Sequence, residues 1–65
     1  MENKFIGLRT KNDYNDIYVN VNHIILFGSL IDEDNGDEIG SYLNILEFKR
    51  PINVCETPEQ IFDLL

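Results

Sequence analysis

The chain has 65 residues, a net charge of −7 and a single cysteine. That length allows one domain and no second core, and folding at this size buries only about 60% of the unfolded chain's surface. A lone Cys55 excludes an intrachain disulfide and suits a reducing compartment, while one histidine and one cysteine leave few metal ligands. Without such staples the economical remedy for a small core is self-association, and a homo-oligomer is expected.

Eight acidic residues and no Lys or Arg fall between Asn12 and Phe48. This argues against direct binding to a nucleic-acid backbone, which needs clustered cations, and makes a basic protein surface the more natural partner. The amino-terminal "MENKFIGLRTKNDYND" has no signal-peptide pattern, and the longest apolar run, "HIILFGSLI", is far short of the roughly 18 residues of a membrane span. A soluble cytoplasmic protein is the expectation.

In chain order, "KFIGLRT" is a β-type run and the polar "KNDYND" a turn. "IYVNVNHIILFGSLI" is dense in β-formers. It reads either as one long strand, with Ile17, Val19, Val21, His23, Ile25 and Phe27 on one face, or as two strands broken at Asn20–Asn22. The break is preferred, because Asn accepts turn conformations and weakens a strand. "IGSYLNILEF" is the next strand, with Tyr42, Leu46 and Phe48 on one face and Leu43 and Ile45 on the other. Strands apolar on both sides, here and in "IILF", imply a closed sheet or a face covered by another subunit. Pro51 limits the strand from Ile52 to a short or edge position.

The carboxy-terminal "ETPEQIFDLL" is a helix: Thr57 is the N-cap, Pro58 the first helical residue and Gln60 the return partner of a capping box. Ile61, Phe62, Leu64 and Leu65 form its apolar stripe. So short a helix is unstable in isolation and must dock. The fold class is mainly β: a compact antiparallel sheet or small barrel of about 4–5 strands, closed by one short C-terminal helix.

Between the strands, residues 32–38 place five carboxylates around Asn35–Gly36. A calcium loop needs oxygen ligands at positions one, three and five, Gly at six and Glu at twelve. Starting at Asp32 puts Gly36 fifth; starting one residue earlier puts Ile31 first and Tyr42 twelfth. Both registers fail, and a solvated hairpin tip with Asn-Gly at its turn is preferred. A weak cation site or a docking surface for a basic partner, through Asp32, Glu33, Asp34, Asp37 and Glu38, are the alternatives.

Catalytic chemistry finds little support. His23 and Cys55 suggest a base and a nucleophile, but a thiolate needs a base or positive charge nearby, and "NVCETP" supplies an acidic setting. Cys55 reads as a small apolar residue and His23 as a turn residue. Ser29 and Ser41 lack the partners of a triad. Gly7, Gly28, Gly36 and Gly40 are too scattered for a phosphate loop. Asp13 and Asp16 read as solvating. No cofactor, metal site or enzymatic activity is expected.

One binding constellation remains. Arg9 and Lys11 close the first strand, Lys49 and Arg50 close the last long one, and Asn20 and Asn22 lie at the proposed break. If these ends share one rim, they form a positive pocket for a phosphate, a nucleotide or an acidic peptide. The plainer reading is that they balance nearby carboxylates and keep an edge soluble.

From "YVNVNHI" to "VCETPEQIFDLL" the chain resembles the small flagellar and swarming-motility proteins of the FlbD type. Those have an opening Ile-x-Leu strand, a Val-Asn-x-x-x-Ile segment, a β-hairpin, and a closing Val-x-Glu-Ser/Thr-x-Glu-x-Ile helix. Ile6 and Leu8, then Val19, Asn20 and Ile24 or Ile25, then Val54, Glu56, Thr57, Glu59 or Gln60 and Ile61 occur in that order. The acidic loop at 32–38 and Cys55 within the closing motif depart from the pattern. The resemblance implies a β-rich regulatory or interaction module without catalysis, and no functional residues carry over.

The reading is therefore a non-catalytic, homo-oligomeric cytosolic regulator acting through a protein surface. The rival is a phage or mobile-element inhibitor. It would either mask a basic nucleic-acid-binding surface with the acidic loop, or sequester a signalling nucleotide between subunits with Arg9, Lys49 and Arg50.

Overall fold

The computed structural model describes residues 4–65. Five antiparallel strands and one helix follow each other: β1 (Phe5–Arg9), β2 (Asp16–Asn20), β3 (Ile24–Ile31), β4 (Glu38–Ile45), β5 (Ile52–Val54) and α1 (Pro58–Leu64). The strands form a two-stranded sheet, β1–β2, and a three-stranded sheet in the order β3–β4–β5. The expected mainly β class with one closing helix is the architecture observed.

Alternation builds the first sheet. In β1, Ile6 and Leu8 are buried while Phe5, Gly7 and Arg9 are exposed, and Val19 of β2 is buried opposite Ile6. The preferred break between β2 and β3 is a one-turn 3-10 segment, Val21–His23. Asn20 starts it, its side-chain oxygen accepting from the Asn22 amide at 2.9 Å, a local bond that competes with strand continuation.

β3 and β4 form a long hairpin. Its eight-residue arms, about 27 Å at ~3.4 Å per residue, are the longest elements in a molecule of 43 × 25 × 20 Å. Leu43 and Ile45 point into the core and Tyr42, Leu46 and Phe48 are exposed, as the uneven pattern of this segment predicts. The strand ends at Ile45, before the Leu46–Phe48 turn. β5, following Pro51, has three residues.

A backbone junction joins the two sheets. Beyond β1, Thr10 bridges Val54; Cys55 N donates to Arg9 O and Lys11 N to Asn53 O, both at 2.8 Å. The junction sets the residues just after β1 against β5, while β3 is the outer strand of the three-stranded sheet. Ile6, Leu8, Val19, Leu43, Ile45, Val54 and Ile61 form the core, flanked by Ile17, Val21, Ile24, Phe27 and Ile52. Ile61, fully buried, is the helix's contribution.

The helix starts as its sequence dictates: Thr57 Oγ1 accepts from Gln60 N at 3.2 Å and Gln60 Oε1 accepts from Thr57 N at 2.9 Å. Its approach is tied to the sheets. Buried Ser41 donates to the Glu56 carbonyl at 2.6 Å, and Glu56 Oε1 accepts from Arg9 N at 3.0 Å. Gly40 makes this close packing possible. Its φ is +151°, and a Cβ there would meet the Val54 carbonyl oxygen.

Three stability outcomes follow, each read as a shift in urea midpoint. Thr57→Ala removes the cap and costs about 1 kcal/mol. Ser41→Ala removes the partner of the half-buried Glu56 carbonyl and costs about 1–3 kcal/mol. Gly40→Ala combines backbone strain with a backbone clash and costs about 2–4 kcal/mol.

Candidate functional site

The strand register decides which charged residues can act together. Arg9 pairs with Asp16 at one end of the β1–β2 hairpin, whereas Asn20 pairs with Phe5 at the other. Lys11 lies beside Arg9's end: its Nζ donates to the Ile39 carbonyl at 2.7 Å, near the start of β4. Lys49 and Arg50 follow the far end of β4, past Leu46, whose amide donates to His23 O. From Ile39 to Ile45 is about 20 Å at ~3.4 Å per residue. The six residues therefore do not share one rim. Arg9 and Lys11 stand at one end, while Asn20, Asn22, Lys49 and Arg50 stand toward the other.

The first group already has partners. Arg9 Nε lies 3.3 Å from Asp16 Oδ1, both largely exposed, and Lys11 is held by the Ile39 carbonyl. Asp16 is thus an ion-pair partner, and Asp13 accepts from Thr10 Oγ1 at 2.6 Å and from Asn15 Nδ2 at 3.0 Å. Among the described residues, Lys49 and Arg50 make no ion pair, and both are exposed. The positive charge open to a partner is concentrated there.

The acidic segment is a hairpin loop between β3 and β4. Asp32 N donates to Asp37 O and Gly36 N to Asp32 O, both at 2.8 Å, with Gly36 at φ +76°. Asp32 Oδ1 accepts from Asp34 N and Asn35 Oδ1 from Asp37 N, each at 2.9 Å, so two side chains build the turn itself. Glu38 accepts from Ser29 Oγ at 2.6 Å. The exposed carboxylates of Glu33, Asp34 and Asp37 take part in no hydrogen bond or ion pair among the described residues. No cluster of three or more His, Cys, Asp or Glu there has metal-binding geometry.

His23 and Cys55 are far apart in the register. Cys55 lies beside Thr10, its Sγ 3.7 Å from the Thr10 carbonyl, while His23 lies near Leu46. His23 Nδ1 is 2.6 and 2.8 Å from the two oxygens of Glu47, which hold the ring at the loop carrying Lys49 and Arg50. Ser41 is a structural tie.

Sequence reasoning did not single out the outer edge of β3. This eight-residue strand, "IILFGSLI", has no charge and no proline, and among the described strands it pairs with β4 alone. Ile25, Leu26 and Ile31 are 62%, 46% and 48% exposed. The absence of charge over this run was the available signal. No helix among the described residues is long and apolar enough to cross a membrane. Comparison with protein-family models, curated proteins and solved structures finds no match to this chain.

Proposed function

We propose that this protein is a small non-catalytic regulatory or interaction module that works as a homo-oligomer in the cytosol. The observation carrying this reading is the imbalance of its apolar surface. Among the described residues seven apolar side chains are buried, whereas twelve large ones are exposed, including Phe5, Tyr18, Ile25, Leu26, Leu46, Phe48 and Phe62. Scattered exposed apolar residues are ordinary; this many on so small a chain is the pattern of surfaces that a partner covers. The free thiol of Cys55 suits a reducing compartment.

A second reading is an inhibitor, encoded by a phage or mobile element, that masks a basic surface. It draws on the unpaired carboxylates of Glu33, Asp34 and Asp37 at the hairpin end. Sequestration of a nucleotide by Arg9, Lys49 and Arg50 has less support, because Arg9 lies at the other end of the sheet and already pairs with Asp16. Light scattering at micromolar concentration tests the main reading. A discrete mass at twice that of the chain or more is expected, and a monomer mass overturns it.

A further inference from the structure

We infer that two copies of this chain associate by pairing their β3 edges antiparallel about a twofold axis near Gly28, forming one six-stranded sheet. This rests on the homo-oligomer reading above and names the surface responsible. Among the described residues β3 is the terminal strand of its sheet, and one of its backbone edges lacks a strand partner. Natural edge strands are usually guarded by charge, proline or brevity. β3 has eight residues with neither charge nor proline; its register with β4 shifts between Ile24 and Leu26 and again between Leu30 and Ile31, leaving Leu26 to Leu30 in unbroken pairing around Gly28. Ile25, Leu26 and Ile31 are exposed near its two ends, while Phe27, Gly28 and Leu30 between them are half-buried and α1 contacts the strand.

Charge selects both the partner and the direction. On a chain of net charge −7, an uncharged strand is where a second copy approaches with least repulsion. The acidic loop Asp32–Asp37 follows β3 at one end, while His23 precedes it at the other, beside the loop carrying Lys49 and Arg50. Parallel pairing would bring two acidic loops together. Antiparallel pairing separates them by the strand length, about 27 Å at ~3.4 Å per residue, more than two Debye lengths at ~10 Å each in 0.1 M salt. It also turns each acidic loop toward the basic end of the other copy. A dyad at Gly28 is central for this purpose, with Ile24 four residues before it and Asp32 four after. Because the same patch serves both copies, the assembly closes as a dimer and does not propagate.

Sedimentation equilibrium on the full chain and four variants tests this, with circular dichroism confirming that each folds. Ile25→Lys places a charge at an exposed position, so the fold is retained and a monomer mass is expected. Tyr18→Lys, on the outer face of β2, should leave the dimer intact. The D34K/D37K variant carries a net charge of −3 in place of −7. General repulsion would make it dimerise more tightly, whereas the proposed geometry makes it dimerise about fivefold more weakly. Adding K49E/R50E to it returns the net charge to −7 and should restore wild-type affinity. A dimer that survives Ile25→Lys but is lost in Tyr18→Lys overturns the edge assignment and leaves the oligomeric module standing. A tighter D34K/D37K dimer overturns the antiparallel arrangement. A monomeric wild type overturns both this inference and the function it rests on.

Discussion

The junction at the end of β1 is the constraint on which the rest of the molecule depends. A two-stranded sheet is at best marginally stable alone, and a three-stranded one needs its apolar face covered. Thr10 and Val54 bring them together, and the bonds from Cys55 to Arg9 and from Lys11 to Asn53 extend the link on either side. Glu56 then accepts from Arg9 through its carboxylate and from Ser41 through its carbonyl. One short segment thereby fixes the angle between the sheets, the start of the helix and the position of Ile61. Gly40 lies against it because any side chain would strike the Val54 carbonyl.

That arrangement also explains the character of the surface. Among the described residues two small sheets and a seven-residue helix enclose seven apolar side chains, so many aromatic and aliphatic ones remain outside. The charges divide along the sheet. Arg9 and Lys11 are engaged at the junction, unpaired carboxylates crowd the β3–β4 loop, and Lys49 and Arg50 stand at the opposite end. The apolar edge of β3 runs between these last two regions. The extent of exposed apolar surface is thus a consequence of how few residues the core can hold.

Local chemistry was the legible part of the fold. Thr57, Pro58 and Gln60 identify a helix start because all their bonds lie within four residues. Asn20 marks the break before β3 for the same reason, since its side chain bonds an amide two residues on. Asn35–Gly36 marks a turn, which the structure builds as a longer loop closed by Asp32 and Asp37. The separation of the basic residues between two ends was not legible. Grouping Arg9, Lys11, Asn20, Asn22, Lys49 and Arg50 required knowing which strand ends meet, and pairing between β1 and β5 is a contact between residues more than forty positions apart.

The sequence by itself determined the mainly β class, the helix cap, the hairpin loop and the acidic middle, because propensity, turn chemistry and charge act over a few residues. Only the tertiary structure decided that Arg9 and Lys49 lie at different ends, that Ser41 serves the helix approach, and that β3 is a terminal strand. Those outcomes rest on long-range backbone pairing. The hydrogen bonds that set it are carried by groups common to every residue, so side-chain identity alone does not select which strands become neighbours.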